Sequence, residues 1–219
     1  MTKKKPPLVL LVGHRGNMGR RYAAILDCLG VNWIGTENLA EDYPNSISVH
    51  DRFLDTIFSH IIVATPTDTH TSILRYLHTF PGPVLCEKPI TKDVNYEMVL
   101  PYYPNNLFMV NNYNFIEFHN DQQNDYNITW YDFYNSGKDG LAWDCLQLIV
   151  LDNGGMLQFK NESPVWSAGI DGLKIVRDSI DRSYVKMIDA FISNRDHQLW
   201  DARDPKIIHA HEMARTLIC

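Results

Sequence analysis

The chain has 219 residues, of which 45% are hydrophobic and 21% are charged, as in ordinary globular proteins. Its net charge of −6 excludes the basic surface that nucleic acids require. No apolar run approaches the roughly 18 residues that span a bilayer, and the four cysteines are scattered without a disulfide or zinc pattern. We therefore expect a cytoplasmic protein without a membrane, nucleic-acid or metal partner.

The first half of the chain alternates strand-like and helix-like patterns. Strands are predicted at five apolar runs, namely 8–12, 31–35, 60–64, 83–86 and 107–110. Apolar side chains spaced by three and four predict a helix over 18–29 and another up to 77, with Thr67 or Asp68 as the N-cap of the second. Apolar strands that alternate with helices are typical of a parallel sheet covered on both faces. This half therefore predicts a doubly wound Rossmann sheet of the α/β class.

Beyond residue 112 the pattern changes. Further strands are predicted at 127–134, 156–160 and 172–176, and helices near 184–192 and 205–218, with Asp204 as N-cap and Pro205 in the first turn. We expect two domains: a Rossmann domain over 1–112 and a smaller α+β domain over 113–219. The last helix could pack back on the first domain.

A glycine run lies between the first predicted strand and the first predicted helix. Gly13, Gly16 and Gly19 have the spacing G-x-x-G-x-x-G, one residue longer than the dinucleotide fingerprint G-x-G-x-x-G. Glycines there permit a tight turn and a close approach to a pyrophosphate, whose charge the helix N-terminus favours. The predicted cofactor-binding residues of this loop are Gly13, Arg15, Gly16, Asn17, Met18 and Gly19.

An acidic residue follows the second predicted strand. Glu37 stands 18 positions after Gly19, about where a carboxylate would accept a hydrogen bond from a ribose 2′-hydroxyl. A carboxylate repels a 2′-phosphate, so NAD is favoured over NADP. Arg15, Arg20 and Arg21 lie near the same loop and would either bind such a 2′-phosphate or remain solvated.

Two more segments follow predicted strands. The segment 64–70 reads Ala-Thr-Pro-Thr-Asp-Thr-His and follows the third strand, and Glu87-Lys88-Pro89 follows the fourth. Ligands of open α/β sheets bind at these carboxyl ends. A lysine there can donate or accept a proton if its surroundings lower its pKa. The alternative is that Glu87 and Lys88 form an exposed ion pair at a strand end.

These motifs together resemble those of the Gfo/Idh/MocA oxidoreductases. The resemblance rests on Gly16-Asn17-Met18-Gly19-Arg20-Arg21-Tyr22, Ala64-Thr65-Pro66-Thr67-Asp68-Thr69-His70 and Glu87-Lys88-Pro89. It implies a Rossmann domain that binds NAD or NADP, and a C-terminal domain that covers the substrate and often forms an oligomer interface. Members of the family mostly oxidise or reduce a hydroxyl or carbonyl group of sugars, cyclitols and nucleotide sugars.

The resemblance also implies residue roles. Lys88 would contact the reacting oxygen, Glu87 would lie near the nicotinamide ribose, and His70 would begin the helix after the third strand. The cofactor-binding residues implied in these segments are Thr65, Pro66, Thr67, His70, Glu87 and Lys88.

The chain departs from the family pattern in its second half. The family usually pairs the lysine with an Asp or His of the second domain, in a D-x-x-x-H or H-x-x-D arrangement. Asp144 matches the aspartate of H-x-x-D, but Leu141 stands where the histidine would be. No basic residue occurs in 111–115, and the chain is shorter than family members generally are. We predict Lys88 and Asp144 as catalytic residues, in a short variant with a reduced C-terminal domain.

Three functions remain open from the sequence. The first is an NAD- or NADP-dependent dehydrogenase or reductase, a homo-oligomer such as a dimer, that acts on CH–OH groups of a small-molecule substrate. The alternative is a catalytically impaired dinucleotide-binding sensor or assembly protein, favoured by the missing histidine. A reductase of the dihydrodipicolinate type would share the glycine spacing but does not account for Glu87-Lys88-Pro89.

Overall fold

The computed structural model describes residues 6–39, 57–92, 96–115, 128–132, 159–160, 167–170, 173–174, 177–195 and 198–216. The chain divides into two compact units. The first comprises residues 1–110 and 188–203, and the second comprises 111–187 and 204–219. The first unit is thus built from two separate stretches of chain. The domain boundary predicted at residue 112 stays a prediction.

Six described strands form one sheet in the first unit. They are β1 (Leu8–Val12), β2 (Asn32–Thr36), β3 (His60–Val63), β4 (Val84–Cys86), β5 (Leu107–Met109) and β10 (Trp200–Asp201). Their order is β10-β5-β4-β3-β1-β2, and all neighbours are parallel except β10, which runs antiparallel to β5. The chain moves from β1 to β2 on one side and then to β3 on the other, so the strand order reverses at β1.

Burial accounts for the apolar strands. Residues 9–12 of β1 are fully buried, and β3 and β4 are buried throughout. A strand with neighbours on both edges and cover on both faces has no wet side, which is why these runs do not alternate. β2 stands at the end of the described order and does alternate, with Asn32 and Ile34 exposed. The five predicted strands are confirmed, and β2 and β4 each begin one residue later than expected.

Two helices of the first unit match the predicted periodicity. Helix α1 (Asn17–Cys28) buries Tyr22, Ile25 and Leu26 and ends before Gly30, whose φ of 67° suits a glycine. Helix α2 (Thr67–Tyr76) follows β3 and buries Leu74 together with His70. Its N-cap is Pro66, with no side-chain cap, so the prediction of Thr67 or Asp68 as the cap is wrong. Helix α3 (Tyr96–Val99) leads into a 3₁₀ turn at Leu100–Tyr102, and a second such turn spans Asn112–Phe115.

The late segment 198–203 belongs to the first unit, and β10 within it was not predicted, because two residues carry no periodic signal. The Tyr96 hydroxyl donates to the Ala202 carbonyl at 2.8 Å. The Arg203 guanidinium donates to four backbone carbonyl oxygens, those of Leu100, Tyr103, Pro104 and Asn105. These hydrogen bonds hold the segment beside the turn that follows α3.

The second unit contains a separate sheet. Its described strands are β6 (Ile128–Asp132), β7 (Phe159–Lys160), β8 (Ser167–Ile170) and β9 (Leu173–Lys174), in the order β7-β6-β8-β9. The β6–β8 and β8–β9 pairs are antiparallel, and the β6–β7 pair is parallel. The three strands predicted for this half are confirmed, whereas β8 was not predicted.

Two longer helices follow this sheet in the chain. Helix α4 (Arg177–Ile192) precedes helix α5 (Pro205–Thr216). The predicted cap of α5 is confirmed, since Asp204 Oδ1 accepts from the Lys206 N–H at 2.8 Å. The described helices are all too short or too polar to cross a membrane. The predicted fold class, a Rossmann sheet followed by a smaller α+β region, is confirmed.

Candidate functional site

The loop after β1 is built around Gly13. Its N–H donates to the Thr36 carbonyl at 2.7 Å, and its φ is 84°, in the left-handed region that favours glycine. A Cβ at this position would lie 2.8 Å from the Ala64 carbonyl oxygen. Gly13 therefore allows the chain to turn sharply off β1 while it passes directly over the end of β3.

The other two glycines bring the loop onto helix α1. A Cβ at Gly19 would lie 2.0 Å from the Gly13 carbonyl oxygen, so the first turn of α1 packs against the loop backbone. Gly16 is exposed, and a Cβ there would make only ordinary van der Waals contacts, 3.4 Å from the Gly13 carbonyl oxygen and 3.7 Å from that of Ala64. Gly16 is the N-cap of α1 and contributes no side-chain cap, so no capping side chain covers the N–H groups of the first turn.

This geometry fits the diphosphate of a dinucleotide. The fit requires a backbone that a phosphate can approach closely, and it requires N–H donors that no side chain already occupies. The exposed backbone of Gly16 meets the first requirement, and the uncapped start of α1 meets the second. The G-x-x-G-x-x-G loop thus meets both requirements despite its additional residue.

Side chains around the loop partly engage one another. The Asn17 carboxamide oxygen accepts from the Arg20 guanidinium at 2.9 Å, and Arg21 lies 3.9 Å from the Met18 sulfur. Arg15 is exposed, and its backbone N–H donates to Glu37. Of the three arginines, Arg20 and Arg21 therefore contact α1 itself, and Arg15 lies nearest to the end of β2.

Glu37 follows β2 and contacts the glycine loop directly. Its Oε1 accepts from the Arg15 N–H at 2.8 Å and lies 2.9 Å from His14 Nδ1. The imidazole ring of His14 packs on Gly35, where a Cβ would be 2.4 Å from the ring. Glu37 Oε2 has no hydrogen bond within the described part of the chain. One carboxylate oxygen is thus held by the loop, and the other is available to a ligand.

The Thr65 segment leaves β3 and enters α2 within three residues. Thr65 is partly buried, Pro66 is exposed, and Thr67 begins the helix. The Thr69 hydroxyl lies 2.7 Å from the Pro66 carbonyl oxygen and 2.8 Å from Thr65 Oγ1. This contact holds the Thr65–Pro66 turn against the first turn of α2.

His70 lies deeper than its predicted role suggests. It is fully buried, with Nδ1 2.8 Å from the Pro89 carbonyl oxygen and Nε2 2.9 Å from the Thr65 carbonyl oxygen. Both ring nitrogens therefore face backbone atoms of the chain. The geometry leaves no ring nitrogen for a direct hydrogen bond to a dinucleotide.

The Glu87-Lys88-Pro89 segment leaves β4 beside the Thr65 segment. The Glu87 N–H donates to the Val63 carbonyl at 2.9 Å, and the Lys88–Pro89 peptide is cis. Glu87 is 8% exposed, its Oε1 accepts from the Tyr22 hydroxyl, and its Oε2 accepts from the Lys88 N–H at 3.2 Å. Glu87 is therefore a buried, hydrogen-bonded carboxylate, which overturns the alternative of an exposed ion pair.

Two residues near these motifs were not predicted as parts of the site. Tyr22 ends the first motif of the resemblance and His14 follows Gly13 in the glycine run, but the sequence predicts no role for either. A tyrosine at a core position carries a hydroxyl that needs a hydrogen-bond partner, a signal that could have indicated a buried acceptor such as Glu87. Asp144, the predicted second catalytic residue, lies outside the described residues.

Comparisons with known proteins support the fold. A scan against protein-family models and a search of curated proteins give no match. Solved structures do match, over nearly the whole of both chains. A Gfo/Idh/MocA family oxidoreductase from Vibrio cholerae matches 96% of this chain and 96% of its own, with a TM-score of 0.67 and 12% identity.

Two further structures match similarly. A myo-inositol dehydrogenase from Corynebacterium glutamicum has a TM-score of 0.65 at 12% identity and covers 96% of this chain and 95% of its own. The WlbA dehydrogenase from Thermus thermophilus, in complex with NAD and UDP-GlcNAcA, has a TM-score of 0.59 at 11% identity and covers 97% and 95%. The chain has the fold of these oxidoreductases.

Proposed function

We propose that the chain is an NAD- or NADP-dependent oxidoreductase of the Gfo/Idh/MocA type that acts on CH–OH groups. One observation carries this proposal: the glycine loop, the Thr65 segment and the Glu87-Lys88-Pro89 segment follow β1, β3 and β4, which are neighbours in one parallel sheet. They meet at the carboxyl ends of strands beside the point where strand order reverses, which is where dinucleotides bind in doubly wound folds.

Strand order gives the dinucleotide a direction. Glu37 follows β2 on one side of the glycine loop, whereas Thr65 and Lys88 follow strands on the other side. A diphosphate on the glycine loop would therefore direct the adenosine ribose towards Glu37 and the nicotinamide towards β3 and β4. Arg15, Asn17 and Met18 would lie beside the phosphates, and Thr65, Pro66 and Thr67 would line the nicotinamide half.

Lys88 would handle the proton of the reaction. A bound nicotinamide supplies the hydride donor or acceptor, and the substrate carbon carries a hydroxyl or carbonyl group. As a hydroxyl becomes a carbonyl, Nζ of Lys88 takes the hydroxyl proton, and in the reverse direction Nζ returns it. Glu87 would lie behind Lys88, with its Oε2 on the Lys88 N–H. Asp144 would assist from the second domain.

A sugar, a cyclitol or a nucleotide sugar is the substrate class that we propose, and a homo-oligomer is the assembly. The test is a screen of such compounds for a change in NADH absorbance, made with the wild type and with Lys88→Met. Lys206→Met, at an exposed lysine, is the matched control. Turnover that disappears only in Lys88→Met supports the proton role. Turnover that survives in Lys88→Met contradicts it, and tight NADH binding without turnover across the screen favours the dinucleotide sensor.

We further propose NAD as the preferred cofactor. Glu37 Oε2 would accept a hydrogen bond from a ribose 2′-hydroxyl and would repel a 2′-phosphate. In titrations of Glu37→Ala, we expect weaker NADH binding and stronger NADPH binding than in the wild type. Glu97→Ala, a change of an exposed glutamate on α3, should leave both affinities unchanged. Unchanged NADH affinity in Glu37→Ala would show that this assignment is wrong.

A further inference from the structure

His70 connects two segments that the sheet itself does not join. The β3–β4 ladder ends at the pair Val63 and Cys86, followed by the hydrogen bond from the Glu87 N–H to the Val63 carbonyl. Beyond that bond the two strands lead into separate loops. The imidazole ring of His70 lies between those loops, 2.9 Å from the Thr65 carbonyl oxygen and 2.8 Å from the Pro89 carbonyl oxygen.

Both contacts of His70 require a proton on the ring nitrogen. Carbonyl oxygens only accept hydrogen bonds, so each contact is complete only when the facing ring nitrogen carries a proton. A neutral imidazole carries one such proton, and an imidazolium carries two. Burial lowers the pKa of His70, and this effect outweighs the raising effects of the Pro89 and Thr65 carbonyls and of Asp68. A neutral ring therefore donates one of the two hydrogen bonds.

Neighbouring side chains on α2 contact the same two segments. Thr69 contacts the Thr65–Pro66 turn through its hydroxyl. The Thr71 hydroxyl lies 2.8 Å from that of Thr91, two residues after Pro89, and Tyr103 donates to Thr71 at 3.3 Å. The first two turns of α2 thus hold both loops, and among these contacts only His70 touches both loops with one side chain.

We propose that His70 is a positioning residue for the nicotinamide half of the dinucleotide site. By its two carbonyl contacts it sets the spacing between Thr65 on one side and Lys88–Pro89 on the other. This inference rests on the proposed function, because it is the proposed dinucleotide whose nicotinamide half lies against these two segments. His70 itself touches no ligand.

The test separates the two halves of the dinucleotide. ADP carries the adenosine and the diphosphate, and NADH adds the nicotinamide riboside. If the spacing between Thr65 and Lys88–Pro89 is lost, NADH binding should weaken and ADP binding should stay nearly unchanged. A general loss of folded protein would weaken both ligands together, so the ratio of the two dissociation constants reports on positioning alone.

Three variants distinguish hydrogen bonding from packing. His70→Asn keeps a donor near the position of Nδ1, His70→Gln keeps one near Nε2, and His70→Leu keeps bulk without a donor. Each hydrogen bond contributes modestly, so we expect NADH binding to weaken roughly tenfold in His70→Leu and less in the Asn and Gln variants. ADP binding should change less than twofold in all three. His78→Gln, at an exposed histidine just beyond α2, is the matched control.

Each outcome decides the inference. Equal weakening of NADH and ADP, or NADH binding by His70→Leu at least as tight as by the Asn and Gln variants, would overturn it, since the ring would then only fill space. Thermal melting of each variant identifies any that fails to fold, and Thr71→Val then serves as the replacement, with the same selective loss of NADH binding expected. Wild-type protein that binds neither ligand would refute the proposed function. NADH binding that is equal in the wild type and the variants would refute only the role of His70.

Discussion

The β1–β2 side of the candidate site is made of backbone and partly exposed side chains, whereas the β3–β4 side is held together by buried polar side chains. On the first side, glycines shape the loop and Glu37 is 43% exposed in its side chain. On the second side, His70 is fully buried and Glu87 nearly so, and each is hydrogen-bonded within the core.

The difference teaches how each side tolerates change. A glycine loop fails when a side chain enters the space its backbone needs, because backbone cannot move aside cheaply. A buried polar network fails when one partner is removed, because the other partner loses a hydrogen bond and no water reaches it to form a new one. Substitutions on the two sides should therefore differ in how strongly they change the free energy of unfolding and NADH binding.

The largest expected effect comes from Gly19→Ala. The new Cβ would overlap the Gly13 carbonyl oxygen, so we expect a loss of about 3 kcal/mol in the free energy of unfolding, together with loss of NADH binding. Urea unfolding and NADH fluorescence measure the two. Gly30→Ala is the matched control, since no atom lies within 4 Å there and its φ of 67° alone should cost about 1 kcal/mol. Equal effects of both substitutions would contradict the steric argument.

Tyr22→Phe should have the next largest effect. It removes the hydroxyl that donates to the buried Glu87 carboxylate, which should lower the free energy of unfolding by about 2 kcal/mol. Tyr102→Phe, at a tyrosine 60% exposed, should change it by less than about 0.5 kcal/mol. Glu87→Gln added to Tyr22→Phe should restore part of the loss, because a neutral carboxamide is less costly to bury. Additive effects of the two substitutions would rule out this coupling.

A smaller effect follows the protonation of His70. Burial lowers its pKa below 6.5, so the folded chain binds this proton less readily than the unfolded chain. The resulting stability is fully present above pH 6.5 and is lost as the pH falls towards the lower folded pKa. Urea unfolding between pH 7.5 and 5.5 measures how the free energy of unfolding depends on pH. This dependence should be less steep in His70→Leu than in the wild type, by at most about 1.4 kcal/mol per pH unit. Parallel slopes would show that His70 does not contribute.

The smallest effect is expected from His14→Ala on the exposed side. The His14–Glu37 contact is partly solvated, so its loss should lower the free energy of unfolding by less than about 1 kcal/mol. Glu37 keeps its hydrogen bond from the Arg15 N–H, so NADH affinity should fall by only a few fold. His78→Ala provides the baseline for an exposed histidine. A loss as large as that of Tyr22→Phe would erase the distinction between the two sides.

The predictable part of the site consists of residues whose roles are local. The positions of Gly13, Gly16 and Gly19 between β1 and α1 could be predicted from their spacing after an apolar strand. The position of Glu37 beside this loop could be predicted from its distance along the chain. The partners of Tyr22 and His14 could not be assigned, since they depend on which helix face meets which strand end. Strands β8 and β10 were missed because neither is a continuous apolar run like β3: β8 reads Ser-Ala-Gly-Ile, and β10 is the pair Trp-Asp.

The sequence alone determined the class of sheet and the place of its glycine loop, because apolar runs and glycines act through the backbone near them. Tertiary structure decided which polar groups share the buried side of the site. Tyr22 reaches Glu87 across 65 residues, and His70 joins Thr65 to Pro89, because the packing of α1 and α2 on the sheet brings these atoms within hydrogen-bond distance. Such pairings follow from the rotation and depth of a packed helix, which no local pattern encodes.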